Sequence, residues 1–243
     1  MNKEPVSYKQ TDPRWKDIPY QTTGETATIG GSGCGPTCAA MLIETLTGKA
    51  FTPEDACKWS VDRGYKALNQ GTYYSYFTHQ FAVFGLKCAR INEANLYGHP
   101  TWSPHQEAID KLMEGYYIIA CMGKGLWTSS GHFVVVWWID DETVYILDPA
   151  SDKPERIRGD VETFLREVKY YWWVDAREHN REAPERFDTM AQVETFLPWA
   201  APTLRRMIDN GDIVGSGAKD ANGDPADMDL SRDMIRILVM LYR

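Results

Sequence analysis

The stretch Gly30-Gly31-Ser32-Gly33-Cys34-Gly35-Pro36-Thr37-Cys38-Ala39-Ala40-Met41-Leu42 constrains this chain more than any other. Its glycines allow backbone conformations that a Cβ disfavours. Pro36 suits the first turn of a helix, where its missing N–H costs nothing, and good helix formers follow it. The expectation is a tight loop that delivers Cys34 to a helix N-terminus. There the positive end of the helix dipole favours the thiolate, which is the nucleophilic form. An isolated cysteine is more often inert buried packing. What separates the two readings is whether the chain supplies a base.

The rest of the pattern places that helix in an α+β domain. Residues 7–29 carry Pro13, Pro19 and Gly24 and read as an irregular N-terminal arm, packed down through Trp15 and Tyr20. The Cys34 helix runs to about Leu46 and stops at Gly48. Thr52-Pro53-Glu54-Asp55 starts a second helix with a cap, a proline and acids in its first turn. Thr72 to Phe84 reads as a third helix, and Leu86 to Ile91 as a short strand. Ser103-Pro104-His105-Gln106 has the spacing of a capping box and opens a helix to Glu114.

The pattern then changes. Tyr116–Met122, His132–Ile139 and Thr143–Leu147 are rich in β-branched and aromatic residues, with Asp140-Asp141-Glu142 as the turn of a hairpin. Asp160–Glu167 is expected as a helix and Val168–Val174 as a last strand. Helices first and an antiparallel sheet afterwards is the order of an α+β domain. Residues 176–192, charged and containing Pro184, read as a linker. Beyond it, Trp199–Asn210 and Leu230–Tyr242 are expected as two helices, too little to bury a core of their own.

A cysteine nucleophile needs a base, and the base needs an orienting group. Of the five histidines, His79, His99, His105 and His179 fall where packing or solvation explains them. His132 follows Ser129-Ser130-Gly131 and opens the strand Phe133–Trp138, where a rigid element can aim a side chain into a cleft. In a hairpin the start of one strand lies beside the end of its partner. Asp148, in Leu147-Asp148-Pro149, ends the next strand and so stands beside His132. Its bland alternative is a turn-initiating aspartate before proline.

These blocks are recognisable together. Tyr8-Lys9-Gln10-Thr11-Asp12-Pro13-Arg14-Trp15, Gly33-Cys34-Gly35-Pro36-Thr37, Gly131-His132-Phe133-Val134-Val135 and Leu147-Asp148-Pro149 resemble, in order, the papain-like cysteine peptidases of the bacteriocin-processing type, in their free-standing form. The resemblance covers about residues 7–175. It implies a papain-like cysteine peptidase fold with Cys34 as nucleophile, His132 as general base and Asp148 as orienting residue. It also implies a glutamine that binds the oxyanion, for which Gln10 is the candidate; here the Trp15–Ile29 segment separates it further from Cys34 than in transporter-linked members. The tail, through Leu197–Pro202, Ile208–Gly215 and Leu230–Arg236, looks like a single surface-layer-homology-type repeat, similar to those on cell-wall lytic enzymes of phages and bacteria. The alternative is a small docking appendage. The expected organisation is therefore 1–175 peptidase domain, 176–192 linker and 193–243 small helical appendage.

Charge and cysteine content narrow the functions. A net charge of −8 gives no electrostatic reason to hold nucleic acid. No apolar run is long enough to span a bilayer, and the first residues lack the apolar core of a signal peptide. Five cysteines without a CxxC pair argue against a disulfide framework or a zinc site, and no cofactor is expected. Three functions stay open. The first is a peptidoglycan-cleaving cysteine peptidase or amidase, such as a phage or prophage endolysin, cytoplasmic until released and held to the wall by its tail. The second is a cytosolic peptidase or transferase acting on ordinary peptides, and the third a non-catalytic binding module on the same fold.

Overall fold

Side-chain alternation along three central strands splits the core of the first unit into two faces. The computed structural model describes residues 1–181 and 186–242, divided between a unit Met1–Arg181 and a unit Glu182–Arg243. The first unit holds a six-stranded sheet of β1 (Cys88–Arg90), β2 (Tyr117–Met122), β3 (His132–Ile139), β4 (Thr143–Leu147), β5 (Arg158–Asp160) and β6 (Val168–Val174). Their order is β1-β6-β2-β3-β4-β5, and every neighbouring pair is antiparallel. In the β2–β3 ladder Ile119 lies opposite Val135 and Ile118 opposite Val136. Ile119, Cys121, Phe133 and Val135 join one apolar cluster, and Ile118, Ala120, Val134 and Val136 the other. A register shift between Val136 and Trp138 breaks the alternation. Trp137 and Trp138 therefore both pack on the first cluster, where strict alternation would part them.

Four helices precede β1: α1 (Ile29–Ser32), α2 (Cys34–Thr47), α3 (Pro53–Asp62) and α4 (Tyr76–Val83). Helix α2 packs on α3, α4 and β3, so every residue from Cys34 to Ile43 is buried. It ends at Gly48, whose φ of 66° is left-handed, a conformation that favours glycine. Helix α3 carries the expected cap at Thr52, which Asp55 completes as a capping box. On the second face lie α5 (Gln106–Met113) and α7 (Val161–Glu167), with α6 (Pro154–Ile157) between β4 and β5.

Several local expectations change. The glycine stretch is not a loop: residues 29–32 wind as α1 under a Thr28 cap. Its glycines serve close approach, and none of Gly30, Gly31, Gly33 or Gly35 has positive φ. A Cβ on Gly30 would stand 2.9 Å from the Lys16 carbonyl oxygen, and one on Gly33 2.7 Å from that of Ile29. The third helix starts at Tyr76 rather than Thr72, because Thr72 is drawn into a bridge with Lys66 and its hydroxyl meets Tyr20 Oη at 2.6 Å. The capping box expected at Ser103 does not form. Residues 103–105 make a 3-10 turn, pinned by a buried His105 between Tyr171 Oη and the His99 carbonyl.

The arm is irregular and packed. Trp15 and Tyr20 are buried. Trp15 Nε1 donates to the Lys9 carbonyl at 2.7 Å, and Asn2 Nδ2 donates to the carbonyls of Leu112 and Tyr116.

In the segment expected as a linker, most of the described residues are structured. Arg177–Asn180 is a short helix, α8, whose Asn180 accepts from Lys3 N and donates to the Gly115 carbonyl. Pro184 lies outside the described residues. In the second unit β7 (Arg186–Phe187) pairs with β8 (Leu230–Ser231), and α9 (Met190–Phe196), α10 (Ala201–Asp209) and α11 (Arg232–Leu241) pack around them. Phe187, Met190, Val193, Leu204, Ile235 and Val239 form its core. The expectation of two coreless helices is thus corrected: Phe187 on β7 and Met190 and Val193 on one face of α9 enter this core from a stretch whose charges hid them. Among the described residues no helix is long and apolar enough to cross a membrane.

Candidate active site

Helix α2 begins at Cys34, and β3 begins at His132. The contact of α2 with β3 therefore brings two chain-distant residues to one place. Gly35 makes this possible: a Cβ there would press on Thr72 and the Phe133 ring at 3.2–3.3 Å. The Cys34 thiol takes hydrogen bonds from His132 and from the backbone N–H groups of Phe133 and Gly35. His132 Nε2 donates to Asp148 Oδ1 at 2.7 Å, which leaves Nδ1 as the nitrogen toward sulfur. Asp148 is fully buried, and its Oδ1 also accepts from Ala150 N at 2.8 Å.

The electrostatics follow from this chain of contacts. Burial pushes the Cys34 thiol up, but the hydrogen bond and charge of His132 outweigh it and hold the thiol below its ordinary value. Burial alone would pull His132 down. The hydrogen bonds to Asp148 and Cys34 reverse that and raise it to about 9. The other cysteines are buried and go the opposite way: burial drives Cys38, Cys57, Cys88 and Cys121 up.

Gln10 joins the same cleft. Its backbone N–H donates to the Pro149 carbonyl at 2.8 Å, beside Asp148. Its Nε2 donates to the Gly30 carbonyl at 2.8 Å, and its Oε1 is buried without a partner. Lys9 completes the tether: its Nζ donates to the carbonyls of Asp148 and Ser151 and pairs with Asp152 at 2.7 Å. The arm thus fastens directly to the loop that carries Asp148.

Two residues of this site were not singled out for it by sequence. Arg156 stands with Nη2 2.6 Å from Asp148 Oδ2. Trp127 Nε1 donates to the Arg156 carbonyl, and Arg156 Nη2 donates to the Trp127 carbonyl, so the two hold each other. Only the hairpin logic that found Asp148 pointed near them; Asp152-Lys153-Pro154-Glu155-Arg156 has no period that aims a side chain inward.

The cleft over Cys34 has a volume of ~760 Å3 and is lined by Gln10, Ser32, Trp127, His132 and Arg156 among others. Its rim is tied by a buried ion pair, Lys66 Nζ to Glu25 Oε1 at 2.8 Å. A larger depression of ~940 Å3 opens beside Trp102, Asp141 and Arg158, but no cysteine or histidine lines it. Among the described residues no group of three or more His, Cys, Asp or Glu is placed to hold a metal ion. His79 and His105 are engaged elsewhere, His79 with the Ser75 carbonyl and His105 with Tyr171 Oη and the His99 carbonyl.

A thiol at a helix start, an imidazole against it and a carboxylate behind the imidazole, on a frame of helices and antiparallel sheet, are the parts of a papain-like cysteine peptidase. The chain belongs to the Peptidase_C39 like family, whose sequence model matches residues 14–174. Gln10 lies just outside that span. Among solved structures, a C39-like peptidase from Bacillus anthracis is 14% identical with a TM-score of 0.45, over 71% of this chain and 98% of its own. The peptidase domain of Streptococcus ComA, a bifunctional ABC transporter involved in quorum sensing, is 19% identical with a TM-score of 0.41, over 58% of this chain and 90% of its own. No curated protein matches the chain.

Proposed function

We propose that this cysteine peptidase cleaves peptide-type bonds through Cys34, His132 and Asp148, and that its substrate is peptidoglycan. The observation that carries the chemistry is the hydrogen-bonded series from the Cys34 thiol through His132 to the buried Asp148. The Cys34 thiolate attacks the carbonyl carbon of the scissile amide. The oxyanion that develops meets the backbone N–H at the head of α2 and the free hydrogen of Gln10 Nε2; one such donor contributes roughly 10²–10³ in rate. His132 gives its proton to the leaving amine, and an acyl-enzyme thioester remains. His132 then takes a proton from water, which attacks the thioester and releases Cys34. Asp148 holds the imidazole in the tautomer both steps need.

The peptidoglycan substrate is supported by the likeness of the C-terminal segment to wall-binding repeats and by its own apolar core, fit for an independent targeting unit. Incubation with purified sacculi, and separately with soluble peptides, with products read by mass spectrometry, tests it. Release of muropeptides is the expected result. Cleavage of soluble peptides with sacculi left intact would replace the wall substrate by ordinary peptides, and no cleavage of either would leave a binding module.

The ion pair fixes a pH profile. It exists above the depressed pKa of Cys34 and below the raised pKa of His132. Activity is expected to climb on the acid side of the ordinary thiol range and to fall as pH passes about 9, where the imidazolium loses its proton. Iodoacetamide at pH 6–7 is expected to label Cys34 before the four other cysteines, and His132→Ala to slow that labelling. Equal labelling of all five would falsify the ion pair.

A further inference from the structure

A triad explains one oxygen of Asp148 and leaves the other. Oδ1 is filled by His132 and Ala150 N. Oδ2 is buried and takes no directed hydrogen bond. What it faces is the Arg156 guanidinium, with Nη2 2.6 Å away; the same Nη2 gives one of its two hydrogens to the Trp127 carbonyl. The contact sets opposite charges side by side. A fully buried carboxylate is costly unless an opposite charge stands beside it. If that charge came from His132 alone, each loss of the imidazolium proton would strand the anion, and the carboxylate would grip the proton too tightly to release it. A guanidinium never gives up its charge in a protein. Arg156 thus compensates Asp148 whichever protonation state His132 is in.

The surroundings keep Arg156 in that place. It sits on α6, started by Pro154. Its carbonyl accepts from Trp127 Nε1 at 2.9 Å. Trp127 is itself wedged: a Cβ on Gly159 would stand 2.7 Å from its ring, and Phe164 meets it edge-on. The other charged and titratable groups around the pair are committed differently. Lys9, from the arm, serves carbonyls and Asp152. Lys169, on β6, lies near Gly131, where a Cβ would be 3.6 Å from its Nζ. Cys34 and Cys38 come from α2. Among the described residues Arg156 and His132 are the cations paired with Asp148.

We propose that Arg156 is a positioning residue that acts through Asp148: it holds the carboxylate turned toward His132 Nε2 and offsets part of its field, and so sets how tightly the imidazolium holds its proton. The inference rests on the Cys34–His132–Asp148 reading above. The test is the pH dependence of Cys34 alkylation by iodoacetamide, which needs no substrate, in the full-length chain and in Arg156→Gln and Arg156→Lys, with kcat and KM on any substrate cleaved.

In the unaltered protein the alkaline inflection reports His132 and is expected near 9. Arg156→Gln is expected to move it up by about one pH unit, since the carboxylate then has only the imidazolium to balance it. A fall in kcat of roughly tenfold with KM held is expected to accompany it. Arg156→Lys keeps the charge and is expected to leave the inflection near its original place while losing part of kcat, because an ammonium cannot reach Asp148 and the Trp127 carbonyl as the fork does. A folded Arg156→Gln protein with an unmoved inflection overturns the proposal. If Arg156→Gln does not fold, Arg156→Lys decides: reduced kcat with KM held supports it, and unaltered kcat sinks it. If neither folds, Arg156 is a structural residue and the proposal falls. Absence of fast Cys34 labelling in the unaltered protein is a separate result; it strikes the triad reading and not Arg156 in particular.

Discussion

Cys34→Ala is expected to remove turnover, with a fall in kcat on the order of 10⁵ to 10⁶, while Cys38→Ala keeps it. The contrast comes from four residues of helix. Both thiols lie on α2 and both are buried. Cys34 stands at the head of the helix, takes two backbone N–H groups and faces His132, and its thiol is held below the ordinary range. Cys38, one turn on, is pushed well up by burial and by the negative charges of Cys34 and Asp148. One sulfur is placed to be a thiolate and the other to stay a thiol. Mass spectrometric rates on the two variants, with circular dichroism to show both folded, check this. Turnover by Cys34→Ala, or its loss in a folded Cys38→Ala protein, would move the nucleophile elsewhere.

Asp148→Asn is expected to cost roughly 10²–10⁴ in kcat/KM and to lower the melting temperature. An asparagine can orient an imidazole, and a change that only swapped one acceptor for another would be mild. The site around Asp148 makes it severe. If the amide oxygen keeps His132 and Ala150 N, the amide nitrogen points its hydrogens at the Arg156 guanidinium, 2.6 Å from where Oδ2 lies. If the amide turns over, its hydrogens face His132 Nε2–H. Either way donor meets donor, and Arg156 is left a largely buried cation without its counter-charge. The imidazolium also loses its carboxylate, so the alkaline limb of the pH profile is expected to move down from about 9, opposite in sign to the Arg156→Gln shift. Paired pH profiles on the two variants read both signs. An Asp148→Asn protein with full activity and an unmoved limb would reduce Asp148 to a turn residue.

What the sequence disclosed was what its local rules control. The strands His132–Ile139, Thr143–Leu147 and Val168–Val174 came with their limits, because unbroken β-branched and aromatic runs between turn residues leave little choice. The His132–Asp148 pairing was legible for the same reason: a hairpin of known turn position dictates which ends meet. Cys34 at the head of a helix was legible from Pro36 and the helix formers behind it. The glycines before it misled, because a small residue needed for contact with Lys16 and Ile29 looks the same in sequence as one needed for positive φ. Arg156 was illegible, because its place depends on a bulky partner, Trp127, 29 residues earlier in the chain. The core of the second unit was masked by composition: Phe187, Met190 and Val193 are few among charges until a strand from the far end of the unit covers them.

The fastening of the arm to the Asp148 loop bears on when the enzyme becomes active as well as how. Lys9 and Gln10 close contacts with residues 148 and 149, about 139 positions along the chain. Contacts of such separation carry the greatest loop-closure entropy and form late in folding. A nascent chain with Cys34 already outside the ribosome still lacks His132, Asp148 and the loop to which Lys9 and Gln10 must bind. Synthesis therefore delivers the thiol long before it delivers the site, and the polypeptide is expected to stay without activity until nearly the whole first unit has emerged and the loop has closed on Lys9 and Gln10. Order of assembly thus acts as a timer, set by where in the sequence the parts were written.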